Sequence, residues 1–415
     1  MVVHSALPQE LIDAIIDNIF DKPTLRACTL VCRSWLFASR HNLYTKLVLR
    51  GEDLDDFLHH LDNDVFRPSL RRLDLFFCEN GPTQRLFRHL PDFPRLTELR
   101  IDSTMYYFDF PPLPNLKRLE LSRVNFGSFS HFTVMLASLP KLKHLALESI
   151  EWAAARGWAA VEDADDDVPR PRLQLDTLNL NITARPISEV YFFDWLNDKT
   201  TAPQTAHLIL NLSVARISFA TSQPILLNGY FHNCGAGITS LSLCFDVLFQ
   251  TLTGHAFDLS LMPNLETLHI TFDGDRFVSS WKAFLRVILP TLLEQLPTNS
   301  PLAHLSLGLL THHSLFVQLP PPDLQRFAAC LDSAQLGRLR MLQFTVLCGG
   351  HHADQHGQPA ANHYDPAEGW DAALMEREEM CPAERVFRRQ ILQHLRMTGS
   401  AKVRCVMRLQ PDTSP

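Results

Sequence analysis

Apolar residues recur along most of the chain in the motif Leu-x-x-Leu-x-Leu, in which the x positions are mostly polar. The clear copies have their central leucine at Leu73, Leu99, Leu119, Leu145, Leu178, Leu241, Leu268, Leu305 and Leu342, and weaker copies surround Leu47 and Leu208. The end of the motif alternates apolar and polar residues, which predicts a β-strand with one buried face. Four copies share a Pro-x-Leu lead-in, with the proline at Pro94, Pro114, Pro140 and Pro263.

Helical spacing of apolar residues predicts a helix between most of these strands. Asp53 is placed to cap one in which Leu54 and Phe57 start the apolar stripe. Similar stripes occur at 83–90, with Thr83 as the cap, and at 132–139, 190–196, 281–296 and 323–331, and Pro290 predicts a break in one of them. Strands that alternate with helices and run in one direction predict an α/β fold with a parallel sheet. The alternative to a repeat architecture is an ordinary α/β protein with leucine-rich strands.

The first forty or so residues have a different pattern, which predicts two short amphipathic helices. The first apolar stripe is Leu11, Ile12, Ile15, Ile16 and Ile19. The second is Leu25, Cys28, Val31, Cys32 and Trp35. Pro8 suits the first turn of a helix, and Pro23 separates the two helices. These apolar residues outnumber what so short a unit can bury, so we expect part of this surface to contact another polypeptide.

This segment resembles an F-box, the short helical module that docks on the SKP-family adaptor of cullin–RING ubiquitin ligases. The resemblance rests on Leu7-Pro8-x-Glu10-Leu11, Ile15-Ile16, Leu25 and Val31-Cys32-Arg33-x-Trp35. It implies a module over residues 5–45 that binds the adaptor and, through it, a cullin. The positions that match the family motif, and are therefore implied to bind the adaptor, are Leu7, Pro8, Leu11, Ile15, Ile16, Val31, Cys32 and Trp35. The alternative is a helical cap that packs these residues on the first repeat.

The strand motif resembles a leucine-rich repeat, which implies a solenoid over residues 46–410. Successive copies start 20 to 37 residues apart, whereas the family's repeats span about 20–29 residues. The family also places Asn or Cys three residues after the last leucine, and among the clear copies only Cys78 fills that place. We therefore expect an irregular solenoid, with inserted loops near 159–172 and 349–366 and a closing strand near 403–409.

Polar positions between the strand leucines are predicted to form columns on one face of the sheet. The earlier repeats place mixed charges there, and the later repeats place hydroxyls, amides and imidazoles. The residues predicted to contact an unknown protein substrate are Arg72, Arg100, Arg118, His144, Asn179, His207 and His269. Because each of these arginines has an acidic residue nearby, we expect recognition through hydrogen bonds and shape rather than through phosphate. The alternative is a solvated face that binds nothing.

Composition excludes several classes of partner. The chain is 46% hydrophobic and carries a net charge of −7, which argues against nucleic acid and against an anionic membrane surface. Nine scattered cysteines without a Cys-x-x-Cys pair, and an N-terminus without signal-peptide character, favour the reducing cytoplasm and/or nucleus. Residues 217–245 lack Asp, Glu, Lys and Arg but contain Pro224 and several glycines, so we expect no membrane-spanning helix.

No motif in the sequence predicts catalysis, a metal or a cofactor. His351, His352, His356 and His363 lie among Gly, Gln and Ala, which is typical of a polar loop rather than of a zinc site. The acidic run at Asp163 and Asp165–Asp167 has no recognisable base beside it. We therefore expect a substrate receptor for a ubiquitin ligase, without enzymatic activity of its own. An interaction scaffold with a helical cap, and a hydrolase built on parallel strands, are the alternatives.

Overall fold

A computed structural model describes residues 7–19, 21–61, 67–76, 80–102, 110–152, 171–183, 189–213, 223–245, 258–273, 284–312, 321–349 and 404–411. The chain forms two compact units. Unit 1 comprises Met1–Asn181 and Pro186–Phe192, and unit 2 comprises Ile182–Arg185 and Phe193–Pro415. The described residues form a mixed α/β fold with parallel strands, which confirms that part of the predicted fold class.

Unit 1 begins with three helices: α1 (Gln9–Asp17), α2 (Lys22–Cys28) and α3 (Arg33–Thr45). Pro8 directly precedes α1, and its carbonyl accepts the N–H of Ile12 at 3.2 Å. The carboxylate of Asp21 caps α2 by accepting the N–H of Thr24 at 2.9 Å, and Pro23 lies in the first turn. Pro8 therefore lies just before the first turn of α1, in which it was predicted, and Pro23 lies at the start of α2.

The prediction of one continuous second helix is wrong, because the stripe from Leu25 to Trp35 spans both α2 and α3. After α2, the N–H groups of Leu30 and Val31 bond to carbonyls three residues earlier, at 2.9 and 3.2 Å. Such bonds tighten the last turn of a helix and end it. Cys32 is then fully extended, with φ −165° and ψ 172°, and α3 begins at Arg33.

Helices α1 and α3 lie side by side and run in the same direction. At their beginnings, Nε2 of Gln9 donates to the carbonyl of Ser34 at 3.0 Å. At their ends, Nδ2 of Asn42 donates to Oδ1 of Asp17 at 2.9 Å. Helix α2 also packs against α3, and α3 leads directly into the first strand. The two side-chain bonds therefore fix which ends of α1 and α3 are neighbours.

The main sheet of unit 1 is parallel, and its strands follow chain order. The strands of unit 1 are β1 (Lys46–Arg50), β2 (Arg72–Phe76), β3 (Glu98–Asp102), β4 (Arg118–Ser122), β5 (Asn125–Phe126), β6 (His144–Glu148), β7 (Glu151–Trp152) and β8 (Gln174–Thr183), of which β5 and β7 pair separately. Register places the buried Leu73, Leu99, Leu119, Leu145 and Leu178 side by side. The spacing of the motif predicted this alignment.

Helices α4 (Gly51–His60), α5 (Asn80–His89) and α6 (Phe129–Ala137) connect these strands, and α7 (Glu189–Asn197) follows β8. Phe57, Phe87 and Phe132 contribute large buried side chains to the core. Two predicted caps are displaced. Asp53 lies inside the first turn of α4, where its carboxylate accepts the N–H of Arg50 at 3.2 Å, and Thr83 lies inside α5. Each helix starts about one turn earlier than the first apolar residue indicates.

Unit 2 repeats the same plan with longer strands. Its strands are β9 (Gln204–Ser213), β10 (Ser240–Phe245), β11 (Thr267–Asp273), β12 (His304–His312), β13 (Met341–Gly349) and β14 (Arg404–Pro411), and its helices are α8 (Gln223–Cys234), α9 (Leu289–Glu294) and α10 (Pro321–Leu331). A π-helical segment, Phe284–Ile288, continues directly into α9, so the helix changes type beside Pro290, where a break or kink was predicted. Short 3-10 turns are Leu90–Asp92, Gly235–Gly237, Leu259–Leu261 and Ala334–Leu336.

Strand β14 pairs in parallel with β13, close to the predicted closing strand. Among the other predicted features, nearly all of the two inserted loops lies outside the described residues. The same holds for the histidine-rich tract and the acidic run.

The Pro-x-Leu lead-in forms a tight turn before its strand. The N–H groups of Leu96, Leu116, Leu142 and Leu265 each bond to the carbonyl three residues earlier, at 3.1 to 3.2 Å. Proline occupies the second position of each turn, where its fixed φ is favourable. A repeated sequence signal therefore corresponds to a repeated local structure in both units.

Candidate functional site

The three N-terminal helices have a small hydrophobic core of their own. Ile12, Ile16 and Leu25 are buried together, and the partly buried side chains packed on them are Ile19, Trp35, Ala38 and Leu43. All of these residues belong to α1, α2, α3 or the turn after α1. The buried apolar residues of α1 therefore pack against side chains of the N-terminal helices themselves.

A second apolar surface of the same helices faces water. Exposed large apolar side chains in the first 37 residues are Leu7, Leu11, Ile15, Leu30, Val31 and Phe37. The exposed fractions of Leu30 and Phe37 are 86% and 77%. Elsewhere in the described residues only Val48, Val134 and Val287 are comparable, each on a different element. We name the six residues, together with the exposed Pro8, the N-terminal apolar surface.

Most of this surface gathers at one end of the helices. Leu7 precedes α1 and Leu11 lies in its first turn, while Val31 precedes α3 and Phe37 lies just beyond its first turn. Because α1 and α3 run in parallel with their beginnings bonded together, these residues share that end. Ile15 extends the surface by one turn along α1. An apolar cluster of this kind on a polar background is typical of a protein-binding surface.

The residues predicted to bind the adaptor fall into an exposed group and a buried group. Leu7, Pro8, Leu11, Ile15, Val31 and Cys32 are exposed. Ile16 is fully buried and Trp35 is half-buried against the helical core, so both are placed to hold the helices together. Sequence reasoning missed Leu30 and Phe37. The signal that could have found them is an apolar residue outside the helical stripe of a very small module.

Cys32 adds a polarised thiol beside this surface. Its Sγ lies 3.0 Å from Oγ of Ser34, and the chain is exposed at this point. The hydrogen bond from the Ser34 side chain, followed by that from the backbone N–H of Trp35, lowers the pKa of Cys32 below its usual range. More of this thiol is therefore thiolate at neutral pH than in an ordinary exposed cysteine.

The predicted polar columns form in unit 1, where ion pairs occupy them. Arg72 Nε lies 2.9 Å from Oδ1 of Asp74, and Arg72 also approaches Glu98 at 3.5 Å. Asp74 is buried, and its Oδ2 also forms an ion pair with Nζ of Lys46 at 3.6 Å. Burial is the largest single influence on the pKa of Arg72 and lowers it, but the carboxylates of Asp74, Glu120 and Glu98 together outweigh burial and leave the pKa raised.

The other two arginines of this face share one carboxylate. Glu120 accepts Nε of Arg118 at 2.6 Å and lies 3.8 Å from Nε of Arg100. The guanidinium of Arg100 also lies over the ring of Phe76, 5.1 Å from its centroid. All three predicted arginines are therefore already committed to acidic partners, as their sequence neighbours indicated.

Two further predicted residues lie beside this network. His144 is half-buried, in register between Arg118 and Thr177. Asn179 is half-buried next to Ala146, and its Oδ1 is buried without a hydrogen-bond partner in the described part of the chain.

Unit 2 places neutral residues in the corresponding columns. His207 is exposed and pairs in register with Ser240. His269 is half-buried, and its Nε2 lies 2.9 Å from Oγ1 of Thr271. Burial lowers the pKa of His269 to about 4. The imidazole is therefore neutral at physiological pH.

Neither a metal site nor a membrane-spanning segment is seen in the parts of the chain that the structure describes. No three His, Cys, Asp or Glu residues converge there in a metal-binding group. The helices described there are too short or too polar to cross a bilayer. Comparison with protein-family models and with curated proteins finds no match to this chain.

Proposed function

We propose that the protein is the substrate-recognition subunit of a cullin–RING ubiquitin ligase. In this proposal the N-terminal apolar surface docks on a SKP-family adaptor, and through it on a cullin. The parallel sheets hold a target protein. The observation that carries the proposal is the concentration of exposed apolar side chains on three helices that already possess a core.

The burial pattern supports docking rather than capping. A helical cap would bury its isoleucines and leucines against the first strands, whereas Ile12 and Ile16 pack against Leu25 of the same helices. Leu30 and Phe37 remain in water. Fully burying one such side chain contributes roughly 1.5–3 kcal/mol, so several together could offset the entropic cost of association.

Recurring local geometry supports the finer description of the fold as an F-box followed by an irregular leucine-rich-repeat solenoid. The N–H just before a strand bonds to the carbonyl just before the preceding strand, as in Lys117 to Thr97 at 2.8 Å and Glu266 to Thr239 at 2.8 Å. The same step recurs in both units and joins successive turns. Cys28, Cys32 and Cys330 are free thiols, which supports a reducing compartment, the cytoplasm and/or nucleus.

The decisive experiment is a titration of the full chain with purified SKP-family adaptor. Leu11 and Val134 are matched probes, because both lie on helices of unit 1 with exposed fractions of 51% and 49%. We expect Leu11→Asp to weaken adaptor binding by about tenfold or more, because it places a charge in the apolar contact. Val134→Asp should leave the affinity unchanged.

Two results would contradict the proposal. One is a wild-type chain that does not bind the purified adaptor. The other is equal loss of binding in Leu11→Asp and Val134→Asp. Adaptor binding without co-elution of the adaptor–cullin complex would favour a scaffold without a ligase role.

A further inference from the structure

The centre of the sheet in unit 2 presents a grid without formal charge. Register aligns Ser240 with Thr267 and His304, Ser242 with His269 and Ser306, and Cys244 with Thr271 and Gly308. None of these nine positions on β10, β11 and β12 is Asp, Glu, Lys or Arg. We name this grid the neutral face.

The matching grid of unit 1 is strongly charged. Across β2, β3 and β4, its charged residues are Arg72, Asp74, Glu98, Arg100, Asp102, Arg118 and Glu120, and only Phe76 and Ser122 are uncharged. A partner that covered this grid would have to remove water from arginine–carboxylate ion pairs that already neutralise each other's charge. Desolvation of charges opposes binding unless each is paired again, and the cores of protein interfaces are depleted of charged residues.

The neutral face has hydrogen-bonding groups available for a partner. Within the described residues, the hydroxyls of Ser240, Ser242 and Ser306 have no protein partner, and all three residues are half-buried. Water can therefore be exchanged for a ligand's donors and acceptors at small cost.

His269 lies at the centre of this grid with a fixed orientation. Oγ1 of Thr271 lies 2.9 Å from its Nε2, and within the described residues the other ring nitrogen, Nδ1, makes no hydrogen bond. Gly308 contributes to this arrangement, because a Cβ there would lie 3.0 Å from Oγ1 of Thr271. A larger residue would displace the hydroxyl that orients the ring.

We infer that the neutral face binds an uncharged, hydrogen-bonding stretch of the target polypeptide, and that the ion-paired grid of unit 1 does not make the main contact. The inference rests on the proposed role as a target-binding subunit. Neighbouring strands are about 4.8 Å apart, so three strands span about 10 Å, the length of three extended residues. Backbone amides and Ser, Thr, Asn or Gln side chains match hydroxyls and a neutral imidazole. A phosphorylated segment would find no cation within the grid.

The test is a selection of displayed random dodecapeptides, built from all twenty amino acids, on the full chain without adaptor. We expect enriched sequences to share a run of uncharged polar residues. A synthetic copy of an enriched peptide should bind the wild-type chain. Its affinity should fall by about tenfold or more in Ser240→Arg, and likewise in His304→Glu, because each places a charge under the neutral segment.

Thr177→Arg is the matched control, because Thr177 is a half-buried hydroxyl residue at the equivalent strand position in unit 1. It should retain the wild-type affinity. His304 is exposed, so His304→Glu remains informative even if Ser240→Arg fails to fold.

Three results would overturn the inference: no enrichment, an acidic or basic consensus, or a loss of peptide binding confined to Thr177→Arg. A peptide whose affinity rises on phosphorylation of an internal serine would also overturn it. Adaptor titration of the same variants keeps this outcome separate from the proposed function, since a chain can fail either measurement while passing the other.

Discussion

Leucine side chains are buried in the strand–helix repeats, whereas several of them are exposed in the N-terminal helices. In the repeats, the motif leucines Leu73, Leu119 and Leu268 are fully buried, and polar residues occupy the open face of the sheet. In the helices, Leu11 and Leu30 remain in water although the residues beside them form a core. Leucine content alone therefore does not separate a buried core from an exposed apolar surface.

The difference follows from how much chain each region has available to cover its apolar residues. Strands inside a parallel sheet have a neighbour on each side and are covered by connecting helices, so one leucine column can be enclosed completely. Three helices within about forty residues enclose only the side chains between them. The remaining apolar side chains stay exposed.

The largest expected difference in the free energy of unfolding is between truncation of a core leucine and truncation of an exposed leucine. Leu119→Ala should lower the free energy of unfolding by about 2–5 kcal/mol, because it leaves a cavity between Leu99 and Leu145. Leu30→Ala should change it by less than about 0.5 kcal/mol. Urea denaturation followed by circular dichroism measures both. A comparable loss in Leu30→Ala would show that the N-terminal apolar surface is part of the fold.

A smaller effect is expected for two adjacent isoleucines of α1. Ile16 is completely buried, whereas the exposed fraction of Ile15 is 45%. Ile16→Ala should destabilise the helices by about 2–3 kcal/mol, and Ile15→Ala by less than about 1 kcal/mol. Hydrogen exchange of the α1 and α3 amides, with adaptor titration in parallel, measures the two roles separately.

Ile15→Ala should weaken adaptor binding while the exchange protection of α1 stays near wild type. Ile16→Ala should instead reduce the hydrogen-exchange protection of α1. Equal behaviour of the two variants in both measurements would contradict a division between a structural and a binding stripe.

The sheet was predictable from the sequence because its signal is periodic. Placing Leu73 beside Leu99 and Leu119 needs only the repeated motif, and the Pro-x-Leu lead-in marks the turn before each strand. The alignment of Arg72, Glu98 and Arg118 in one column followed from the same register. Each is a local pattern whose neighbours in space are set by one repeated step.

The N-terminal helices were less predictable, because their roles depend on tertiary packing. An apolar stripe shared by Ile15 and Ile16 does not reveal which of the two faces the other helices. The end of α2 depends on a tight turn at Leu30 and Val31 that has neither Gly nor Pro to mark it. Phe37 lies off the stripe, so helical spacing gave no reason to select it.

The smallest expected effect concerns a polar side chain that the sheet has largely buried. Burial lowers the pKa of His269 to about 4, whereas an unfolded chain has a histidine pKa near 6.5. Between these values the unfolded chain binds more protons, so stability falls as the pH drops below about 6.5 and the loss levels off below about 4. His269→Gln lacks this titration but keeps a side chain able to hydrogen-bond to Thr271.

From pH 6.5 to pH 5.5 the imidazole should account for about 1 kcal/mol of lost stability. The stability difference between wild type and His269→Gln should therefore shift by that amount in favour of the variant on acidification, as measured by urea denaturation at both pH values. Its neighbours Ser242, Thr267 and Ser306 do not titrate in this range, so the difference isolates one ring. An unchanged difference would mean that the imidazole is as well solvated in the folded chain as in the unfolded one, and that the face of unit 2 is more open than its burial indicates.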